Sequence, residues 1–417
     1  MSEKFLEVFK EKLIIKLLLL SILIFPIILL LGSAVINFMV VLMNIFFLIH
    51  IISKKNYVIF NNHIFYSLVA LWFFLIMNTL MNDNFIENYS RSFGFIRFII
   101  LVFLFSYIFS YKNQKFKELI LRFWSIIFFI VAADLIFEFF YGFNTLGLKS
   151  TFEGRLVGFM GDQLKIGHWF LCFSLIIISR YLNKDKKLIF IVALSLIVSF
   201  AIGERANFIR LFFALTFFLL ITRILKPKIL VSLIFIFVLF IYLAIKFDKS
   251  DNNALKYRYF DQVTNVLKMT SLHEMNNNNA YTPMYINAYD LFKKNKFLGV
   301  GTGSYLEESQ NNFRTHNQIK GYTILPNTHP HQYHFELLAT LGLPGYLFII
   351  TFLLYFLIKS FHFYINQKNY INLSSSLFIL VFLIPLLPTG SFFTTYGASM
   401  FWLNFSLMNL GNFKNMN

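Results

Sequence analysis

Long apolar runs, separated by short polar connections, are the dominant pattern of this chain. They cover about 13–32, 34–52, 63–81, 93–111, 117–140, 166–182, 187–202, 205–223, 229–246, 337–358, 371–388 and 393–411. A run of roughly 20 apolar residues can cross a bilayer as a helix, and continuous apolarity excludes the alternating pattern of a membrane β-barrel. The pattern predicts an all-α polytopic membrane protein with about twelve transmembrane helices.

The polar connections are of two alternating kinds, and this alternation predicts the orientation of the chain. One kind carries lysine or arginine throughout, as in "SKKN", "YKNQKFKE", "SRYLNKDKK", "TRILKPK", "KSFHFYINQKN" and the tail "NFKNMN". The short members of the other kind, such as "GS", "GERAN" and "PTGSFF", are poor in lysine. Because basic loops stay in the cytoplasm, we expect both termini inside and residues 247–336 outside, which is the periplasm in a diderm bacterium.

Three regions follow from this arrangement. Residues 1–246 form an N-terminal bundle of about nine helices, residues 247–336 a large periplasmic loop, and residues 337–417 about three C-terminal helices. The loop contains "TPMYINAYDLFKKN", whose apolar residues recur at helical spacing, so we expect short helices in it. The glycines of "GVGTGS" follow. Without a preceding strand they are not a phosphate-binding fingerprint, and they predict a turn that needs glycine dihedrals.

Composition and charge narrow the classes of function. The 417 residues are 58% hydrophobic and 14% charged, with a formal net charge of +17. In a soluble protein that charge would suggest nucleic acid, but here the basic residues lie in short connections. We therefore expect contacts with membrane lipids and no nucleic-acid partner. The single cysteine, Cys172, allows no internal disulfide, and no predicted cytoplasmic connection is long enough for a nucleotide-dependent catalytic domain.

Arginines near the predicted outer interface are candidate ligands for an anion. Arg205 stands beside Glu204 in the short connection "GERAN". A guanidinium donates two hydrogen bonds to phosphate from one planar fork, although a surface ion pair or a snorkelling arginine is an alternative. Arg155, in the glycine-rich "EGRLVGFMGDQLKIG", and Arg258, in "KYRYFDQV", are further candidates. A structural turn and a solvated basic patch are their respective alternatives.

Three histidines, His329, His331 and His334, stand in "NTHPHQYHF" just before the tenth apolar run. A chance cluster is one interpretation and a zinc site another, but a loop-borne H-x-H-x-x-H lacks the helical spacing of catalytic zinc pairs. Imidazole as a proton acceptor or donor near neutral pH fits better. The sequence thus predicts acid–base chemistry at a membrane surface and no metal site.

The order of these features resembles the O-antigen ligase and polymerase superfamily of bacterial inner-membrane glycosyltransferases, over most of the chain. Two late motifs carry the resemblance: "LFKKNKFLGVGTGSY" (291–305) and the more specific "HPHQYHFELLATLGLPGY" (329–346). Two positions depart from the family pattern. Tyr281 stands about where many members have an arginine, and Gln332 replaces the common asparagine after the histidine.

The resemblance implies roles for individual residues. Arg205 matches the arginine thought to hold undecaprenyl diphosphate, and His331 matches the loop histidine required for transfer, so both would be catalytic. Arg155, Arg258 and His329 would bind substrate, with Arg258 in place of the missing loop arginine. The lipid-diphosphate donor carries its own leaving group, which implies an inverting, metal-independent transfer that needs no cofactor.

The implied function is that of an O-antigen ligase, which moves a saccharide from undecaprenyl diphosphate to lipid A–core on the periplasmic face. An O-antigen polymerase, whose acceptor is another lipid-linked glycan unit, shares the late motifs and is the close alternative. A polysaccharide flippase or transporter is a further alternative. It predicts charged residues deep in several spans, whereas these runs are nearly free of charge away from their ends.

Overall fold

The computed structural model describes residues 13–82, 85–110, 114–182, 185–224, 235, 238–243, 245–246 and 254–413. The first part of the chain folds into helices that follow the apolar runs. They are α1 (Leu13–Leu23), α2 (Phe25–Ile28), α3 (Ser33–Lys54), α4 (His63–Leu80), α5 (Phe85–Gly94), α6 (Ile96–Ser110), α7 (Gln114–Tyr141), α8 (Ile166–Arg180), α9 (Asp185–Ala201) and α10 (Arg205–Thr222).

The second part contains the polar segment and three further apolar helices. The polar segment holds α11 (Ala254–Lys256), a π-turn at Tyr257–Asp261, α12 (Gln262–Lys268), α13 (Leu272–Asn278), α14 (Thr282–Lys294), α15 (Tyr305–Thr315), and a hairpin of β1 (Gln318–Ile319) and β2 (Tyr322–Thr323). The apolar helices are α16 (Tyr333–Gln367), α17 (Tyr370–Phe382) and α18 (Thr395–Met408). Short helices in the polar segment agree with the expectation from its sequence.

Six helical segments are long and apolar enough to cross a membrane: Ser33–Lys54, His63–Leu80, Tyr89–Ser110, Lys115–Tyr141, Arg205–Thr222 and Tyr333–Gln367. The outer helices also expose apolar side chains. On α3, Phe38 is 65% exposed, Ile45 46% and Ile52 59%. Contiguous apolar surface of this kind suits lipid better than water. The structure supports a multi-pass all-α membrane protein.

Shorter helices lie at the centre of the bundle. Every residue of α8 from Ile166 to Ser179 is buried, and α18 is buried from Tyr396 to Met408. The helix α18 packs against α6 and α17, while α8 packs against α7, α9, α10 and α17. A helix that touches protein on all sides needs no polar face, which explains why these two helices have no polar face toward water, although they bury a few polar side chains such as Ser399 and Asn404.

Each predicted span except the ninth coincides with a helix or a pair of consecutive helices. The ninth, at 229–246, lies largely outside the described residues. The tenth differs from the prediction, because α16 begins at Tyr333 and is interrupted at Gly342 (φ 66°, ψ −173°). The number of membrane crossings, the regional boundaries and the side on which each connection lies stay predictions.

Candidate active site

Arg155, Arg205 and Arg258 come from three separate segments and meet around the turn at Gly203. We call these three residues the arginine cluster. Arg205 Nη1 donates to the Arg258 carbonyl oxygen at 3.1 Å, and Arg258 Nε donates to the Gly203 carbonyl oxygen at 3.2 Å. Arg155 pairs with Glu204 Oε1 at 3.0 Å. The structure thus brings together three arginines that are far apart in sequence.

Glycines make this convergence possible. Gly203 has φ 76°, and a Cβ atom there would collide with the carbonyl oxygen of Gly154. Gly154 has φ 68°, and its Cβ would lie 3.0 Å from Cδ of Arg258. A side chain at either position would push the arginine-bearing segments apart, and the positive φ values also favour glycine. The backbone hydrogen bond from Leu156 N to Ile202 O, at 3.0 Å, closes the same contact.

The cluster is cationic and partly withdrawn from water. The side chain of Arg155 is 21% exposed and that of its partner Glu204 is 9% exposed. Burial, and then the neighbouring guanidiniums of Arg155 and Arg205, lowers the pKa of Arg258 to about 10. Like charges at close range are costly unless an anion offsets them, so this cluster suits a multiply charged anionic ligand.

The second half of the site is a histidine pair, His329 and His331, whose ring centroids lie 4.2 Å apart. The His329 Nδ1 is 3.0 Å from the Thr328 hydroxyl, while its Nε2 is buried without a hydrogen-bond partner. Burial, followed by His331, Lys165 and Arg91, lowers the pKa of His329 to about 3. Burial also lowers the pKa of His331, against a backbone hydrogen bond at Thr389. Both rings are therefore neutral at physiological pH.

His331 has an unusual backbone. Its φ is 55°, in the left-handed region that is uncommon for residues other than glycine, although histidine, asparagine and aspartate adopt it more often than most. The Thr389 N–H donates to the His331 carbonyl oxygen at 2.6 Å and holds it there. Strained residues of this kind concentrate at functional sites, since surrounding structure must maintain them.

Residues directly after the histidine pair build the start of α16. The Gln332 amide oxygen caps the helix by accepting from the N–H groups of His334 (2.6 Å) and Phe335 (3.2 Å). Both ring nitrogens of His334 are engaged, Nδ1 with the Tyr346 hydroxyl and Nε2 with the Leu383 carbonyl oxygen. Gln332 and His334 therefore have structural roles at the start of α16.

The two late motifs form a single joint, which we call the glycine joint. At the Gly342 break, Val300 N donates to Ala339 O at 2.8 Å, Gly301 N to Thr340 O at 3.0 Å, and Leu343 N to Lys296 O at 2.7 Å. Gly299, Gly301 and Gly303 all have positive φ, which confirms the predicted glycine turn. The joint fixes the start of α16, and with it the histidine pair, against the polar segment.

Tyr281 connects the two halves of the site. Its ring meets His331 edge-on with centroids 5.8 Å apart, and it stacks on Tyr285 at 6.3 Å. The phenol of Tyr281 also opposes the lowering of the Arg258 pKa. Within the described residues no hydrogen bond joins His331 to the arginine cluster, and Tyr281 is linked to both, to His331 by ring contact and to Arg258 electrostatically.

Sequence reasoning missed one prominent charged residue. Arg210 lies in α10, is fully buried, and donates to the carbonyl oxygens of Leu387 (2.9 Å) and Pro388 (2.7 Å). The expectation that the spans lack charge away from their ends needs correcting here. An arginine inside an apolar run is a signal of function in itself, and it was readable from "GERANFIR".

Among the described residues, no group of three or more His, Cys, Asp or Glu side chains is arranged to hold a metal ion. The absence of a metal requirement stays a prediction. Chemically, the described groups can bind an anion at the arginine cluster and accept a proton at the histidine pair.

Comparison with known proteins supports the resemblance carried by the late motifs. Residues 190–350 match the protein-family model described as O-antigen ligase. The match spans Arg205, Arg258, the glycine joint and the histidine pair, so the resemblance to the O-antigen ligase superfamily is confirmed. It supports an O-antigen ligase-like or polymerase-like function in general. No curated protein matches the chain.

Proposed function

We propose that this protein is an O-antigen ligase of the inner membrane. It transfers a saccharide from undecaprenyl diphosphate to lipid A–core on the periplasmic face, with inversion at the sugar and without metal or cofactor. The observation that carries the proposal is the convergence of Arg155, Arg205 and Arg258, together with a histidine pair whose neighbour Tyr281 is close enough to Arg258 to affect its pKa. Such an arrangement suits a diphosphate leaving group next to a proton acceptor.

In the proposed reaction, the acceptor hydroxyl oxygen attacks the anomeric carbon of the lipid-linked sugar. The bond from that carbon to the diphosphate oxygen breaks, and undecaprenyl diphosphate leaves with the electron pair. The arginine cluster offsets the charge that develops on the leaving group. His331 takes the proton from the acceptor hydroxyl, while His329 and Tyr281 support its ring.

Deletion of the gene, followed by analysis of the lipopolysaccharide, tests this function. A ligase predicts lipid A–core without polymer, together with accumulated lipid-linked polymer. Core that carries a single repeat unit would instead identify a polymerase, which uses a lipid-linked glycan as acceptor. Unchanged lipopolysaccharide would contradict both the ligase and the polymerase function. Complementation by the wild-type gene but not by His331→Ala would link the phenotype to the candidate site.

A further inference from the structure

All three nitrogen atoms of the buried Arg210 guanidinium donate hydrogen bonds. Besides Leu387 and Pro388, it donates from Nε to the Val381 carbonyl oxygen at 3.3 Å and from Nη1 to Asn207 Oδ1 at 3.2 Å. Its guanidinium also lies over the Phe382 ring, 4.7 Å from the centroid. A buried cation is costly unless its donors are satisfied. Here the partners come from α10, from the end of α17, and from residues 387–388 between α17 and α18.

That segment is the one that holds His331. Leu387 and Pro388 receive the guanidinium, and the next residue, Thr389, donates its N–H to the His331 carbonyl oxygen. The left-handed backbone of His331 depends on this contact. Arg210 holds this segment on the side before Thr389, while the Glu336 carboxylate holds it on the other side, through Ser391 Oγ and Phe392 N.

Arg210 also reaches the arginine cluster. Its partner Asn207 donates from Nδ2 to Glu204 Oε2 at 2.5 Å, and the same carboxylate pairs with Arg155. Arg205 lies on the same helix, at the first residue of α10. One buried side chain is therefore linked to both halves of the candidate site, to Arg155 through Asn207 and Glu204 and to His331 through Pro388 and Thr389.

We propose that Arg210 is a positioning residue that sets His331 at its working distance from the donor held by the arginine cluster. The inference rests on the proposed function and assigns no contact between Arg210 and substrate. A displacement of about 1 Å in a reacting group can cost roughly a hundredfold in rate, so a loosened 387–389 segment would impair the transfer step.

The test uses the full-length protein reconstituted in lipid, with lipid-linked donor and lipid A–core acceptor. Arg210→Lys keeps the charge but loses the planar fork, and Arg210→Met removes the charge in a similar volume. We expect kcat to fall roughly ten- to hundredfold, with donor Kd within about threefold of wild type. Because a loosened His331 is better hydrated, the acid limb of the pH profile of kcat/KM should also move upward, toward the ordinary histidine pKa of about 6.5.

The shift in the acid limb of the pH profile distinguishes a positioning role from a merely structural one. A smaller folded fraction would lower the rate at every pH without changing the pH at which activity declines. Arg180→Met is the matched control. That arginine ends α8, and it bonds Glu118 and Ser125 far from the site. It should affect stability alone. Folded Arg210→Lys with an unmoved limb and normal kcat would overturn the inference, as would a loss confined to donor affinity. Absence of transfer by the wild type would instead refute the proposed function.

Discussion

The backbone N–H of Val300 donates to the carbonyl oxygen of Ala339 at 2.8 Å. That carbonyl precedes the break at Gly342 and would otherwise lack its helical partner, since Leu343 N donates to Lys296 O instead. The next carbonyl, of Thr340, would face Pro344, which has no N–H, and it accepts from Gly301 N. The two late motifs are thus complementary halves of one structure. The joint satisfies the backbone groups that the break in α16 would leave unpaired.

Gly342→Ala should therefore destabilise the protein strongly. The dihedral angles of Gly342 are almost exclusive to glycine, and another residue held in them loses about 1–3 kcal/mol. In addition, a Cβ atom there would collide with the backbone at Phe297. We expect a total loss of about 3 kcal/mol or more, seen as a lower thermal midpoint in detergent.

Gly147→Ala provides the matched control for this prediction. Gly147 also has a positive φ, 80°, but nothing lies within 4 Å of a Cβ built there. Gly147→Ala should lower the stability only by the cost of the left-handed backbone, about 1 kcal/mol. Equal thermal midpoints for the two variants would mean that the close approach at the joint contributes nothing.

Arg205→Ala should weaken donor binding and transfer. Loss of one charge-assisted hydrogen bond in a partly dry site costs about 1.5–3 kcal/mol, or roughly ten- to hundredfold. Arg205→Lys should also be impaired, because an ammonium cannot fork onto a diphosphate. Arg223→Ala, at the exposed opposite end of α10, should leave transfer unchanged. Normal donor affinity in inserted Arg205→Ala would exclude the role.

The acid limit of activity should lie below the ordinary histidine range. Burial lowers the pKa of His331, and the base is active when deprotonated. Transfer should consequently persist as the pH falls through about 6.5, the unperturbed value, and decline only at lower pH. The measurement is kcat/KM against pH in the reconstituted system, since that ratio reports the free enzyme. An acid limb centred above 6.5 would contradict the burial of this ring.

The orientation of the chain can be tested by cysteine labelling in a Cys172→Ala background. Cysteines at Asn278 and Lys186, both on exposed positions, report the polar segment and a lysine-rich connection respectively. In cells with a permeabilised outer membrane, an impermeant thiol reagent should label position 278 and spare position 186. The reverse pattern would invert the proposed topology.

The helices were predictable because an apolar run in lipid has few alternative structures. Its backbone N–H and C=O groups have no water to bond with and must form hydrogen bonds with each other. The candidate residues Arg155, Arg205 and Arg258 were each readable as arginines near an outer edge. Their convergence was not, because it depends on backbone contacts at Gly203 and Gly154 between segments some 50 residues apart.

Two further features lay beyond the sequence for different reasons. Thr389 acts through its backbone N–H, which any residue except proline provides, so its side chain gives no signal. Gln332 stands in sequence where the family has asparagine beside the candidate base, and the structure shows that its amide oxygen caps α16. A helix cap and a ligand-binding position both require a polar side chain, so the sequence alone does not distinguish the two roles, whereas the structure does.

The central claim is that His331 performs the chemistry while the arginine cluster holds the donor. The most direct test is single-turnover transfer by reconstituted His331→Ala and His331→Asn, with donor affinity measured in the same preparation. Asparagine tolerates the left-handed backbone, so His331→Asn isolates the loss of the imidazole from any backbone strain. Both variants should bind donor within about threefold of wild type and transfer glycan about 10²–10⁴-fold more slowly. Near-wild-type transfer by His331→Asn would contradict the account.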